Sequence, residues 1–190
     1  MIAQQDTIRG YRFKTATNRL GLWLFILSDA FVFGGLLVAR ASLWGDTRPH
    51  LDQGLGLVVT AILLLSSFFM NRAETAMALG DRRTFVRGIL TTIALGVLFL
   101  GGVVGIEWRI APFAADENAY GAVFYMMTGM HAFHVLTGVI FLFIVWRNEA
   151  RGIYTVERHW PVEAAAVYWH FVDVVWIFFY PALYLIGSVI

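Results

Sequence analysis

The segment YWHFVDVVWIFFYP, Tyr168–Pro181, sets a histidine, His170, and an aspartate, Asp173, one helical turn apart. They lie in a run from Ala164 to Ile190 that is otherwise almost wholly apolar. Upstream, GMHAFH (Gly129–His134) offers two more imidazoles, His131 and His134, and Asp29 interrupts the apolar run Leu20–Val38. Imidazoles and carboxylates in apolar surroundings relay protons, ligate metal or haem iron, or satisfy one another by hydrogen bonding. Residues three apart share a helix face, so each pair is a candidate for any of these.

The choice depends on the solvent these residues see. The 190-residue chain is 59% hydrophobic and only 14% charged, whereas a soluble domain carries about 25% charged residues. Mean hydropathy is +0.69. The apolar surplus exceeds what one core can absorb, so most of it faces lipid. A net charge of +1 gives no basic surface for nucleic acid, and the absence of cysteine excludes disulfides, thiolate metal sites and cysteine nucleophiles. The chain reads as an integral membrane protein.

A bilayer core of roughly 30 Å needs about 20 residues of helix. Five runs qualify: Leu20–Val38, Leu55–Met70, Gly88–Ile106, Tyr120–Trp146 and Ala164–Ile190. They predict one transmembrane domain over residues 1–190, with helices at about 20–41, 54–73, 85–107, 120–147 and 162–189. Barrel strands would instead alternate over roughly 10-residue segments. The first run exceeds the roughly 7–15 residues of a signal-peptide core and carries Asp29, so it is expected to be a retained helix. The tail, the 71–87 loop and the 147–163 loop hold eleven Lys and Arg residues, against three on the other side. This distribution places the N-terminus in the cytoplasm and the C-terminus outside.

Asp29 and Asp173 each lie nine residues into a span, about 14 Å along it. His131 and His134 are central as well. A polar layer is therefore expected at the midplane, where each charge costs about 2.5–3.5 kcal/mol unless partnered. The bland reading is an interhelical hydrogen-bond network joining the last two helices. Proton conduction or cofactor binding is the sharper one. His131 or His134 with His170 offers one bis-histidine haem pair, and the three histidines with Asp173 offer a metal set. His50 and His159 lie in loops on opposite sides.

Other features read as packing or surface. Gly101 and Gly105 form a GxxxG, and Gly34-Gly35 and Ala164-Ala165-Ala166 allow close helix approach. Trp23, Trp108, Trp146, Trp160 and Trp169 are expected near the membrane interfaces. Arg72, Arg147, Arg151, Arg158 and His159 line the basic edge, where cations meet anionic lipid headgroups.

Read in order, these segments resemble a known family. EAAAVYWHFVDVVWIFFYPALYLIGS (Glu163–Ser188) resembles the last helix of cytochrome c oxidase subunit III, and GAVFYMMTGMHAFHVLTGVIFL (Gly121–Leu142) its penultimate helix. GDRRTFVRGILTTIALGVLFL, IEWRIAPF and NRLGLWLFILSDAFVFGG are similar to earlier parts of the family, so the likeness runs from about residue 18 to 188. The resemblance implies a multi-pass accessory subunit of a haem–copper terminal oxidase in a bacterial inner membrane. Its partners would be subunits I and II, which carry the haems and copper, while this chain would hold no cofactor beyond structural phospholipids. It would support aerobic electron transport and sustained proton uptake by subunit I. The family's polar positions fall on Asp29, Glu107, His131, His134, Glu163, His170 and Asp173. Two features depart from the long form: five spans in place of seven, and Asp29 where many members carry glutamate. The second leaves the glutamate's carbodiimide reactivity open here. A quinol-oxidase subunit III, a nitric oxide reductase accessory protein and an autonomous membrane haem cytochrome are the alternatives.

Overall fold

In the computed structural model, described over residues 2–189 with side chains at Tyr11 and from Phe13 onward, the chain forms five long helices. They are α1 (Ile2–Trp44), α2 (Gln53–Ala78), α3 (Arg82–Ile110), α4 (Ala119–Ala150) and α5 (Trp160–Tyr184). All five are long and apolar enough to cross a membrane. The fold is an all-helical membrane bundle, as the apolar runs predict. Arg9 and Arg12, counted above for orientation, have side chains outside the described residues.

α1 is longer than the expected 20–41, because the polar N-terminal segment continues the same helix. α5 is shorter than the expected 162–189 and stops at Tyr184. Beyond it, Gly187 adopts a φ of 108° that other residues rarely reach. This frees Ser188–Val189 (β2) to pair in parallel with Thr47–Arg48 (β1). The C-terminus is thus stitched to the α1–α2 connection by Ser188 N donating to Asp46 O at 2.8 Å and Arg48 Nε donating to Gly187 O at 3.2 Å.

At the basic end the chain reverses tightly. Gly80, at φ 77°, closes α2 with bonds from Gly80 N to Met77 O and Asp81 N to Ala76 O, the arrangement that satisfies a helix's last carbonyls. Asp81 then caps α3, its carboxylate accepting from the Thr84 amide at 3.1 Å and hydroxyl at 2.6 Å. These bonds hold the Asp81 carboxyl below its ordinary value of 3.8.

Within the bundle α2 packs most extensively on α3, while α5 touches α2, α4 and α1. Lipid tails are as apolar as leucine, so helices associate here by close packing and interhelical hydrogen bonds rather than by burying grease. Both are concentrated on Trp169. A Cβ built on Gly96 would sit 2.6 Å from its ring, one on Gly138 would sit 2.9 Å away, and its Nε1 donates to Ser66 Oγ at 3.0 Å. The sequence reading put Trp169 at an interface, but it is 1% exposed and joins α2, α3, α4 and α5. The close-packing glycines of α3 are likewise Gly88, Gly96 and Gly102. Gly101 and Gly105 have nothing within 4 Å, nor do Gly34 and Gly35 on α1.

α3 also departs from α geometry. Its segment Gly101–Glu107 is π-helical, a wider turn that shifts the facing of everything after it. The result is that Glu107 is only 2% exposed.

Candidate functional site

The polar positions divide into four groups that engage different neighbours. The first lies between α1 and α4. His134 Nδ1 is 2.8 Å from the Met130 carbonyl, which can only accept, so Nδ1 carries a proton. Its Nε2 lies 3.4 Å from Asp29 Oδ2. Asp29 Oδ2 has no hydrogen-bond partner among the described residues, so the two groups meet at ion-pair range rather than in a hydrogen bond. Phe33 packs edge-on against the His134 ring at 4.8 Å. This pair sits at a groove of about 580 Å³ between the helices, bordered by Leu22, Phe25, Phe133 and Tyr168.

The second group joins α5 to α2. Antiparallel packing sets Trp176 Nε1 on Thr60 Oγ1 at 2.9 Å, Trp169 on Ser66, and His170 Nδ1 2.6 Å from Ser67 Oγ. His170 and Asp173 therefore do not satisfy one another. His170 turns to α2, while Asp173 is 3% exposed and its carboxylate oxygens have no partner among the described residues. His170 thus joins α5 to α2, while the last two helices are joined through Tyr168, whose hydroxyl meets Thr137 Oγ1 at 2.8 Å and lies 3.2 Å from the His134 carbonyl. The sequence reading missed Thr60, Ser66 and Ser67. The available signal was three hydroxyls in one apolar run, of which Thr60 and Ser67, seven residues apart, share a helix face.

His131 stands apart from both. It is fully buried among Phe99, Trp176 and Phe179, with ring centroids at 5.5, 4.7 and 6.3 Å, and neither nitrogen has a hydrogen bond among the described residues. The three imidazoles therefore engage separate surroundings and form neither the shared network nor the bis-histidine pair that spacing suggested. Among the described residues no group of three His, Asp or Glu converges as metal ligands do.

The third group lies at the end away from the basic loops. There the Tyr184 hydroxyl donates to Glu107 Oε1. The Arg40 guanidinium, stacked 5.2 Å from the Trp44 ring, donates to the carbonyls of Gly45 and Ile186. The fourth group is at the basic edge. Glu163 accepts from Arg19 Nη2 at 2.6 Å and lies 3.5 Å from His159 Nε2. Arg82 pairs with the buried Glu149 at 2.8 Å, which fixes the 151–159 loop beside the α2–α3 turn. Partial burial there pushes the Tyr154 hydroxyl above its ordinary pKa. Arg72, Arg147, Arg151 and Arg158 are exposed, and Arg158 covers the Tyr11 ring at 5.6 Å.

Five helices, each long and apolar enough to cross a membrane, define a polytopic membrane protein. The chain belongs to the cytochrome c oxidase subunit III family, whose model matches residues 1–188. It is similar to cytochrome c oxidase subunit 3 of Thermostichus vulcanus, 33% identical over 174 residues that cover 88% of this chain and 86% of the relative. The subunits 3 of Dugong dugon and Equus caballus are each 34% identical over 202 positions, covering 98% of this chain and 77% of theirs. Membership in this family implies a complex with other oxidase subunits.

Proposed function

We propose that this chain is a non-redox accessory subunit of a bacterial haem–copper terminal oxidase, packed beside subunit I in the inner membrane with its N-terminus in the cytoplasm. The haems and copper reside in subunits I and II. The chain retains phospholipid along the basic edge of Arg72, Arg147, Arg151, Arg158 and His159, and sustains proton uptake by subunit I during aerobic electron transport. The observation that carries this reading is the whole-chain family match. It is supported by the polar positions Glu107, Glu163 and His170, which are taken up by contacts within the bundle.

The Asp29–His134 pair favours a proton-linked contribution over a purely mechanical one. It borders a groove of about 580 Å³ between α1 and α4, with Asp29 at a position where many family members carry glutamate. The same aspartate keeps the quinol-oxidase and nitric oxide reductase associations in view as the second reading.

The test is affinity purification of this chain in mild detergent, with mass spectrometry and a reduced-minus-oxidised spectrum. Co-purified haem–copper subunits, with haem lost when the chain is separated under denaturing conditions, are the expected result. The partners' own motifs then distinguish cytochrome c, quinol and nitric oxide chemistry. Haem that stays with the isolated chain overturns the proposal.

A further inference from the structure

The seam between α2 and α5 presents a polar atom outward at membrane depth. His170 is half-buried, and its Nδ1 meets Ser67 Oγ at 2.6 Å. Its Nε2 has no hydrogen bond among the described residues, and it is not enclosed as both nitrogens of His131 are. Nε2 therefore opens on the outer surface of the bundle. The residue lies six positions into the apolar run from Ala164, about 9 Å along it. An imidazole is too short to reach the headgroups from there.

The surface around this atom spans both helices. On α5, Val174, Ile177 and Phe178 follow His170 at i+4, i+7 and i+8, spacings that return to one face, and all three are exposed. On α2, Leu64 and Asn71 flank Ser67 at i−3 and i+4, and both are exposed. The apolar members are indifferent to whether lipid or protein covers them, because lipid tails are as apolar as leucine. The imidazole is not indifferent. Lipid tails offer it no hydrogen bond, and ionisable side chains at membrane depth face a bundle interior, a water-filled cavity or a partner.

We propose that the α2–α5 seam is the contact face for a transmembrane helix of another oxidase subunit, which sets a hydroxyl, amide or carboxyl side chain against His170 Nε2. This rests on the accessory-subunit reading above and adds where the partner sits and which atom it meets. The Ser67 bond fixes the orientation of the ring, so the outward nitrogen is presented in one direction. A second copy of this chain fits poorly. Symmetric contact across the seam is isologous, so two Nε2 atoms of the same tautomer meet, both N–H or both lone pair, and form no bond. A phospholipid headgroup lies at the membrane surface, out of reach of this depth.

The test places the photoreactive residue p-benzoylphenylalanine at Leu64 or Val174, with Ile140 on the outer face of α4 as background, and irradiates native membranes holding the full complex. Cross-links from Leu64 and Val174 to one haem–copper oxidase subunit, at yields several-fold above Ile140, are the expected result. His170→Asn keeps an amide at the place of Nδ1 beside Ser67 but carries nothing at the place of Nε2. It should weaken partner retention in mild detergent by about three- to twenty-fold, the effect of one interhelical polar contact in a membrane, while the chain by itself melts as wild type does. His170→Gln, whose amide reaches the place of Nε2, should restore retention. Background-level cross-linking at Leu64 and Val174, cross-links to a second copy, or undiminished retention by His170→Asn overturns the assignment. The cross-links decide alone if His170→Asn unfolds. Absence of every oxidase subunit overturns the accessory reading and this contact with it, whereas an intact complex without the cross-links overturns the contact alone.

Discussion

His134 Nδ1 is committed to the Met130 carbonyl while its Nε2 lies 3.4 Å from Asp29 Oδ2. This approach is a polar contact between α1 and α4 in otherwise apolar surroundings. α1 is otherwise the least buried of the five spans. Asp29→Ala should therefore loosen α1 by about 0.6–1.7 kcal/mol, the range of interhelical polar contacts in membranes. The measurement is thermal unfolding in detergent. Asp29→Asn should lose less, since an amide can still donate to Nε2.

A second prediction separates close packing from mere glycine content. A Cβ on Gly96 meets Trp169 at 2.6 Å and Val139 at 2.9 Å, whereas one on Gly101 or Gly105 meets nothing within 4 Å. Gly96→Ala should destabilise by about 1–3 kcal/mol through overpacking. Gly101→Ala and Gly105→Ala should stay within about 0.5 kcal/mol of wild type. Equal melting temperatures for all three variants would refute the central placement of Trp169.

Asp81 gives the pH dependence. Thr84 holds its carboxyl below the ordinary 3.8 in the folded state, so its contribution is complete above 3.8 and is lost as pH falls through the depressed value. Melting followed by circular dichroism should therefore fall more steeply below pH 3.8 in wild type than in Asp81→Asn. The amide still caps α3 but does not titrate. Identical acid limbs for the two proteins would remove this assignment.

Asp173 is buried beside the α2–α5 lock and has no ligand-like partners. Asp173→Asn should lower the yield of assembled complex while leaving the initial turnover of what does assemble close to wild type. Full assembly combined with a sharply lower initial rate would instead make Asp173 a functional proton carrier.

Much of this protein was legible in its sequence, and for a clear reason. In a bilayer each span must satisfy its own backbone, so uninterrupted apolar length specifies a helix almost without ambiguity. The five spans, the membrane class and the subunit III likeness all follow from that and from ordered motifs such as YWHFVDVVW. Spacing also identified the residues that would have to be explained, from Asp29 to Asp173.

Tertiary structure decided their partners. Helical periodicity specifies which residues share a face but not which neighbour that face meets, since lipid and protein interiors are equally apolar. Hence His170, a candidate partner of Asp173 by spacing, meets Ser67 on α2 instead, and His131 is enclosed by aromatic rings instead of joining His134. Hence Trp169, which its position near a helix end placed at an interface, is the central wedge. Glu107 is buried at the end of a π-helical stretch of α3, and no period in the sequence signals that stretch. Side-chain type and length along each helix were local properties, whereas register and rotation between helices were set by close packing among residues far apart in the chain.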